Sequence, residues 1–560
     1  MPVAGEEETA YVKIDELAAK YPETFGHLTR RDWLKLASAT GIALAGGLSL
    51  APKFGTGAAA QDTPASGGTW IMSLAGNPTA YPITAPGGIN DVLVNKVIYN
   101  NLVQYQLVDN AIQVVGDLAE SWEPNADLTQ FTFKLRSGVT WHDGTPFTSA
   151  DVKFTIEQVL NPDVNATNRG NISTIASVET PDDLTVVLNL SGAFADLPIM
   201  LGYNLGIVPQ HLLEGQDLNE PTSFLQNPVG TGPFKFKSFS SGNVLETEAN
   251  PNYFEGAPLL DGIIFKIIPD GNARIAQVRS GEIDLTIVEA PQVESLNGVS
   301  NITIREAPQV QYYFLSVNHT SPKLQDPKVR KAISSVLDKQ GIIDQLLSGY
   351  GQVATGPVNP LLADFYTADV TTYPYDPDAA SALLDEAGWT KDGDKRVNAN
   401  GEELSISLNG PQGYPVLEQV LIYAQQELQN LGITADLQID EWTVHLDKYR
   451  NQQYELLLQW WITPPTPDLY NHYYSTSPSN WWKYNNPTVD DLIVQARTQP
   501  DLAARVDLYK QLQGILADDL PVIYLWYGRE IQALSTRTQG LPLMGYRDAL
   551  SWSELISVTQ

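Results

Sequence analysis

The chain has no cysteine among its 560 residues, and this absence narrows the chemistry open to it. It excludes disulfides, thiolate nucleophiles and zinc sites built from Cys ligands. It also excludes a lipid anchor attached to a cysteine behind an export signal. Whatever holds the protein near a membrane must therefore use another device.

Basic residues are also scarce. Lys and Arg number 34 against 65 Asp and Glu, which gives a formal net charge of −31. Phosphate binding needs clustered Lys and Arg, so this balance argues against a nucleic-acid partner. Apolar residues make up 43% of the chain and charged residues 18%, which is typical of a folded, soluble protein. A chain of this length is expected to form two or three lobes.

Motifs of known enzymes are missing as well. The six histidines are scattered and form no HExxH pair, and neither a GxSxG turn nor a phosphate loop occurs. Gly230 and Gly232 around Thr231 predict a tight structural turn, because the Lys-Ser/Thr pair of phosphate loops does not follow them. The sequence therefore predicts no enzymatic activity, no catalytic residues, no metal and no cofactor. A secreted glycan-active hydrolase, with two carboxylates facing each other across a cleft, is the alternative from a different class.

The N-terminal residues contain a pattern that predicts where the protein is located. Residues 29–35 read TRRDWLK and precede a weakly apolar run over 36–52 and a small-residue stretch that ends at Ala60. This arrangement resembles a twin-arginine export signal, and it predicts that residues 1–60 are the signal and that the mature protein is extracytoplasmic. The alternative is a membrane anchor, but the run is shorter than the ~20 apolar residues that a span needs. Whether the signal is cleaved or retained as an anchor stays open.

The densest group of aromatic residues lies between Tyr454 and Tyr484. The run Leu456–Leu458 predicts a buried strand that opens into a Pro-rich loop at Trp460 and Trp461. Ring faces gathered at a strand end can stack on a flat, partly apolar ligand, whereas the alternative is that they fill a core. The nine rings of this stretch are Tyr454, Trp460, Trp461, Tyr470, Tyr473, Tyr474, Trp481, Trp482 and Tyr484.

Local patterns predict further elements along the chain. Thr148 with Asp151 resembles a capping box, and Asp326 and Asp376 each place a capping carboxylate ahead of a Pro. Apolar periodicity predicts strands over 69–73, 131–135, 435–439 and 522–527, and helices over 92–102, 417–428, 489–496 and 502–516.

Several blocks together resemble the extracellular solute-binding proteins that serve ABC importers, in the dipeptide/oligopeptide-binding family called family 5. The blocks occur in the order expected for that family and cover nearly everything after the signal. They are LAESWEPNADLTQFTFKLRSGVTWHDGTPFTSADVKFTIEQVL at 118–160, VGTGPFKF at 229–236, ANPNYFEGAPLLDGIIFKIIPD at 249–270, SGEIDL at 280–285, FLSVNH at 314–319, DPKVRKAISSVLDKQGII at 326–343 and YDPDAASALLDEAGW at 375–389.

The resemblance implies an α/β architecture: a two-lobed periplasmic-binding-protein fold with an extra inserted subdomain, of the type II, cluster C kind. The hinge crossings are then expected near Pro308–Tyr312 and Tyr527–Glu530. The implied lobe I combines residues 66–109, 229–309 and 530–560, the inserted subdomain spans 110–228, and lobe II spans 310–529.

The resemblance also implies a function. A monomeric protein of this kind captures a peptide or oligopeptide between its lobes and delivers it to an ABC permease in the membrane, and an oligosaccharide ligand is the alternative within the family. Peptide-binding relatives carry an Asp about three residues after the loop Trp, where this chain has Thr463 or Pro464, so Asp468 is the candidate anchor for a ligand ammonium. The implied ligand-binding residues are Tyr81, Tyr312, Trp460, Trp461, Asp468, Tyr470, Asn471, Trp481 and Trp482.

Overall fold

The computed structural model describes residues 66–84, 88–108 and 111–559, and the predicted export signal over 1–60 lies outside these ranges. The strands, numbered in chain order, are β1 Thr69–Leu74, β2 Val103–Val108, β3 Ala111–Gly116, β4 Ala119–Pro124, β5 Gln130–Leu135, β6 Ile175–Asp182, β7 Thr185–Leu190, β8 Phe234–Ser240, β9 Val244–Ala249, β10 Gly262–Ile267, β11 Leu285–Val288, β12 Ile302–Ala307, β13 Gln311–Val317, β14 Gln352–Val353, β15 Thr390–Asp392, β16 Lys395–Val397, β17 Ser405–Pro411, β18 Thr434–Asp440, β19 Leu456–Ile462, β20 Val522–Tyr527, β21 Glu530–Ser535, β22 Thr538–Gln539 and β23 Ser557–Val558.

Helices connect many of these strands. None of them, within the described ranges, has both the length and the apolar character that crossing a membrane requires. The α-helices are Ile89–Ile98, Ser149–Leu160, Arg169–Ile172, Leu197–Gly202, Gln210–Leu213, Thr222–Gln226, Gly271–Ser280, Pro327–Val336, Lys339–Gln345, Pro377–Glu386, Pro415–Asn430, Trp442–Arg450, Tyr470–Tyr473, Pro487–Thr498, Leu502–Asp519 and Tyr546–Ala549, and two 3-10 helices span Ala290–Leu296 and Leu550–Leu555.

A seven-stranded mixed sheet forms the centre of the first lobe, in the order β12-β21-β11-β1-β10-β9-β8. β1 runs parallel to β10 over its whole length, whereas β21, from near the end of the chain, pairs antiparallel with both β11 and β12. Trp70, Met72 and Leu74 face one core, and Ile71 packs against a second core on the opposite face. The sheet is therefore covered on both sides, and the chain returns to this lobe after building the second one.

A four-stranded antiparallel sheet, β4-β5-β7-β6, lies between β3 and β8 in the chain. The helix Ser149–Leu160 packs on it, and the predicted capping box of Thr148 and Asp151 at its start is confirmed. Phe131 and Phe133 of this sheet belong to the same apolar cluster as Trp70 of the first lobe. The inserted segment is therefore fused to the first lobe through a shared core.

The second lobe is built on a six-stranded sheet in the order β14-β20-β13-β19-β17-β18. Its long helices begin as the sequence predicts, because Asp326 and Asp376 accept hydrogen bonds from the backbone N–H groups of Lys328 and Ala379 at 2.8 and 2.9 Å. Leu315 of β13 packs in one core, and its neighbour Phe314 packs in the core on the other face. This sheet is therefore also buried on both faces.

Two short segments connect the lobes. β12 ends at Ala307 and β13 begins at Gln311, whereas β20 ends at Tyr527 and β21 begins at Glu530. The segments lie side by side, because the Gly528 N–H donates to the Gln311 carbonyl at 3.3 Å. A Cβ on Gly528 would lie 2.9 Å from both Gln311 Oε1 and Tyr313 Cε2, so a larger residue at the second crossing would have to displace these two side chains.

Most predicted elements are confirmed, including the strand Val522–Tyr527, but two boundaries are wrong. The strand predicted to break at Trp460 continues as β19 to Ile462, because Trp460 and Trp461 pair with β13. The helix predicted over 92–102 ends at Ile98.

The early end of that helix has a local cause. The Asn100 side chain and the Asn101 N–H both donate to the carboxylate of buried Asp117, at 2.8 and 2.9 Å. Gly230 packs against the end of this helix, since a Cβ there would lie 1.9 Å from the Ile98 carbonyl oxygen. Close backbone packing therefore explains this glycine, whereas the sequence predicts a tight turn.

Candidate ligand cleft

Three of the predicted ligand contacts lie in hydrophobic cores. Tyr81, predicted to contact the ligand, is 0% exposed and packs edge-on against Phe224 with 5.6 Å between ring centroids. Tyr312 is buried, with its hydroxyl 3.4 Å from that of Tyr473. Trp482 is 0% exposed and also packs against Tyr473. The structure corrects their placement from cleft to core, because each ring is enclosed by other apolar side chains and has no free face.

Asp468 is engaged by the protein itself. Its side chain is 4% exposed and lies 3.3 Å from Arg497 Nε, and its Oδ1 accepts a hydrogen bond from the Tyr470 N–H at 3.1 Å. Burial raises the pKa of Asp468, Arg497 opposes that rise, and the charge of Asp196 adds to it. The predicted role of Asp468 as an ammonium anchor is therefore not supported by its surroundings.

Asp468 and Arg497 belong to an ion cluster, Asp196, Asp468, Arg497 and Arg505, that joins the two lobes. Asp196 comes from the inserted segment and lies 3.2 Å from Arg505 Nη1. It also accepts a hydrogen bond from Thr466 Oγ1 at 2.6 Å. We call these four charged residues the interlobe ion cluster, and on this side the lobes are in contact.

Tyr470 supports the cluster from the second lobe. The Arg497 guanidinium lies 4.3 Å from the centroid of its ring and 4.5 Å from that of Phe194 in the inserted segment. Tyr470 also stacks on Tyr474 at 4.6 Å. The ring therefore stabilises an arginine of the protein.

Trp461, Trp481 and Asn471 lie behind the Pro-rich loop. Trp461 packs against His472 at 4.3 Å and Trp481 at 5.5 Å between centroids. The Asn471 carbonyl accepts a hydrogen bond from Ser477 Oγ at 2.6 Å. All three predicted residues keep part of their surface accessible, so ligand contact there stays a prediction.

Trp460 points to the other side of β19, into a cavity of about 350 Å³ between the lobes. Its ring lies 5.1 Å from that of Tyr414 and 5.9 Å from that of Tyr313, and Tyr313 stacks on Trp526 at 4.5 Å. We call this space the hinge cavity, because Gln309 and Arg529 of the two crossings also line it. Of the predicted residues, Trp460 is the one that lines it.

The first lobe contributes acidic groups to the hinge cavity. Glu289 follows β11, caps the 3-10 helix Ala290–Leu296 and is exposed to the cavity, and Glu530 opens β21. Burial raises the pKa of Tyr414, and the nearby Glu289 charge raises it further. Burial and the Glu289 charge also raise the pKa of Tyr313, although a hydrogen bond from Gln311 opposes that rise. A carboxylate of one lobe therefore faces two phenols of the other.

The sequence prediction missed Tyr313, Tyr414, Trp526 and Glu289. Successive side chains of a strand point to opposite faces, so Tyr312 and Tyr313 cannot both face the cavity. Tyr312 falls on the core side and Tyr313 on the cavity side. The alternation in β13 was a usable signal, whereas nothing local to Glu289 indicated that it would face lobe II.

Two lobes joined by two short crossings, with a ring-lined cavity at those crossings, define a binding protein that closes around a ligand. The pattern of the bacterial extracellular solute-binding proteins, family 5 Middle, matches residues 113–483. The chain belongs to this family, and the prediction from its sequence blocks is confirmed.

Relatives with solved structures share nearly the whole fold. The oligopeptide-binding protein AppA of Bacillus subtilis is 29% identical over 495 residues, 87% of this chain and 91% of AppA. The structure of AppA with a nonapeptide has a TM-score of 0.77 at 27% identity and covers 89% of this chain and 100% of that one. The substrate-binding protein CtaP of Listeria monocytogenes has a TM-score of 0.79 at 26% identity and covers 88% and 100%. NikZ of Campylobacter jejuni, solved with Ni(L-His), has a TM-score of 0.77 at 26% identity and covers 87% and 99%.

No metal site accompanies the fold in the described part of the chain. Among those residues, no group of three or more His, Asp or Glu side chains is arranged to hold an ion. The ligands in the relatives' names range from a nonapeptide to a histidine complex of nickel, so the family by itself does not specify the ligand of this chain.

Proposed function

We propose that this protein is the substrate-binding subunit of an ABC importer and that it captures a peptide in the hinge cavity. The observation that carries the proposal is the cavity itself, where rings of the second lobe face carboxylates of the first across the two crossings. The names of the relatives support a peptide as the ligand, since AppA is an oligopeptide-binding protein. The closed protein then docks on a membrane permease, which takes up the ligand.

Binding and closure are one equilibrium in this scheme. A ligand that touches Trp460 in the second lobe and Glu289 in the first makes both contacts only when the lobes are together. It therefore stabilises the closed form by the contacts that the open form lacks. The cavity of about 350 Å³ lies at the lower end of the ~300–1,000 Å³ usual for small-ligand sites. A di- or tripeptide fits this size better than a long peptide does.

An oligosaccharide is the second candidate ligand. The partly exposed rings of Trp460 and Tyr414 offer flat faces, and sugar rings stack on such faces. In both readings the protein returns its ligand unchanged, and we propose no catalytic residues. A glycan-active hydrolase would differ by releasing a shorter product.

The remaining parts of the proposal concern boundaries and location. We place lobe I at residues 66–109, 229–309 and 530–560, the inserted subdomain at 110–228 and lobe II at 310–529. The strands of the seven-stranded sheet all fall in the first set, and those of the six-stranded sheet all fall in the last. The protein acts outside the cytoplasmic membrane as a monomer, exported by the twin-arginine-type signal.

Calorimetric titration tests the proposal. The mature protein is unfolded and refolded to remove carried-over ligand, and then titrated with di- to pentapeptides and with oligosaccharides. We expect peptide binding that weakens about tenfold or more in Trp460→Ala, because a stacked ring contributes about 1–2 kcal/mol. Trp122→Ala is the matched control, since this partly buried indole packs on Phe133 in the inserted sheet.

Each other outcome has a distinct meaning. Binding of sugars alone would replace the peptide by the second candidate. Mass spectrometry of the recovered ligand would detect cleavage, and a shortened product would refute the transport role. Equal loss of affinity in both tryptophan variants would show that the hinge cavity is not the site.

A further inference from the structure

The Pro-rich loop offers no carboxylate to a ligand. Asp468 is the only acidic residue between Trp460 and Tyr484, and it is buried against Arg497. A cationic group of the ligand, if it is to lose its water, needs a carboxylate or several acceptors elsewhere in the cleft.

Glu289 has the position that such a role requires. It is exposed to the hinge cavity and makes no ion pair with any described residue. Glu289 is the N-cap residue of the 3-10 helix, and its backbone N–H donates to Gln292 Oε1 at 2.9 Å, which fixes the position of its backbone at the cavity wall. Across the cavity stand the Tyr313 and Tyr414 rings, whose faces attract a cation and repel an anion.

The other charged groups near the cavity have partners within the protein. Arg529 lies 3.7 Å from Glu306, and Arg274 Nη1 donates to the carbonyls of Ile268 and Pro269 at 2.8 and 2.9 Å. Glu530 Oε1 accepts a hydrogen bond from Gln532 Nε2 at 2.7 Å. Burial raises the pKa of the Glu289 carboxyl and Arg274 opposes this, so the carboxylate is incompletely compensated by the protein.

We infer that the hinge cavity selects ligands that carry an ammonium group, which Glu289 of lobe I binds while Tyr313, Tyr414 and Trp460 of lobe II enclose it. The inference rests on the proposed function and names the ligand chemistry of the same site. The carboxylate that binds the ligand ammonium is then Glu289 of lobe I, and not Asp468 in the loop of lobe II. Two sources share this chemistry, the α-ammonium of a peptide and the side chain of a lysine.

The test measures the affinity of each protein variant for each of several ligands. Glu289→Gln removes the charge but keeps an oxygen that can cap the 3-10 helix. The ligands are Ala-Ala-Ala, its N-acetylated form and N-acetyl-Ala-Lys-Ala, each titrated calorimetrically. Glu294→Gln is the matched control, because Glu294 is an exposed acidic residue of the same 3-10 helix that does not line the cavity.

We expect the wild type and Glu294→Gln to bind the free tripeptide about 10- to 100-fold more tightly than the acetylated one, as a charge-assisted hydrogen bond predicts. Glu289→Gln should bind both with the same weak affinity. Recovery of binding by N-acetyl-Ala-Lys-Ala in the wild type would assign the anchor to a side-chain ammonium as well. An unchanged preference for the free tripeptide in Glu289→Gln would overturn the inference while leaving the proposed function standing.

A second set of ligands distinguishes failure of the proposed peptide function from failure of the ammonium-site inference. If the wild type binds no peptide but binds oligomers of glucosamine, and Glu289→Gln abolishes that binding, the peptide function fails and the ammonium site stands. If it binds only uncharged oligosaccharides and Glu289→Gln has no effect, both fail. Thermal unfolding of Glu289→Gln at the wild-type temperature confirms that the variant is folded.

Discussion

The interlobe ion cluster gives the sharpest test of how the lobes are held together. Asp468 is 4% and Arg497 19% exposed, at 3.3 Å from each other. Removal of one partner of a buried pair leaves an uncompensated charge and costs about 3–5 kcal/mol. We therefore expect Arg497→Met to lower the free energy of unfolding by about 3–5 kcal/mol, while methionine keeps apolar contact with the rings of Phe194 and Tyr470.

Urea unfolding, followed by tryptophan fluorescence, measures the change. Arg450→Met is the control, since this exposed arginine lies over the Trp481 ring at 5.6 Å without being buried. We expect it to change stability by about 1 kcal/mol or less. The double variant Asp468→Asn, Arg497→Met should regain about 2 kcal/mol relative to Arg497→Met, because no buried charge is left unpaired.

The pH dependence gives an independent check on the same variant. Arg497 opposes the rise in the Asp468 pKa, so its removal raises that pKa further. Between the pKa of Asp468 in the unfolded chain and its higher pKa in the folded variant, the folded state holds a proton that the unfolded chain has released. The free energy of unfolding of the variant therefore falls as pH rises through this range. The deficit of Arg497→Met should therefore be smaller at pH 5 than at pH 7.5. A deficit below 1 kcal/mol, or a double variant no more stable than the single one, would refute the reasoning.

Three further predictions concern the hinge, a buried histidine and a packed glycine. Gly528→Ala should weaken ligand binding and lower the unfolding temperature, because the new Cβ would lie 2.9 Å from Gln311 Oε1 and Tyr313 Cε2; a wild-type affinity and melting temperature would contradict this. Burial lowers the pKa of His142 to about 4, so the unfolded chain binds the extra proton and stability should fall as pH drops from about 6.5 to 4. His142→Gln should reduce this slope in urea titrations without abolishing it, because burial also lowers the pKa of His319, His445 and His472 to about 4, and an unchanged slope would exclude a contribution from His142. Gly230→Ala should abolish soluble expression or strongly destabilise the protein, because its Cβ would lie 1.9 Å from the Ile98 carbonyl oxygen, and normal circular dichroism melting would refute that.

Local chemistry made much of the fold predictable. Capping residues such as Asp326 and Asp376 satisfy N–H groups at the start of their own helices, so their effect is visible within a few residues of sequence. The family blocks then supplied the order of the lobes, which no local pattern contains. Long-range pairing, as between β11 and β21, joins residues 243 to 249 positions apart and cannot be predicted from either strand alone.

The candidate site was harder to predict than the fold. Asp468 is a suitable anchor by residue type, but Arg497 and Asp196 reach it from other elements and bury it. Glu289 faces Tyr414 only because the lobes meet, and that contact belongs to the three-dimensional arrangement. Trp460 was predicted because the aromatic density of its segment is a local property. A site formed between two lobes can therefore be predicted from sequence only where one lobe carries many aromatic residues in a single segment.

The brevity of the two crossings determines how this molecule can move. Segments of three and two residues, Pro308–Val310 and Gly528–Arg529, are too short to let the lobes slide, so the available motion is a swing about an axis through both. Points near that axis travel little, and points far from it travel most. The hinge cavity adjoins the axis, so closure brings its walls together over a shorter distance than the walls of a more remote part of the cleft. The contact of Asp196 with Arg505 joins the inserted segment to the second lobe, so a swing that opens the cleft must break this ion pair and the hydrogen bond from Thr466. The interlobe ion cluster therefore opposes opening in the absence of any ligand.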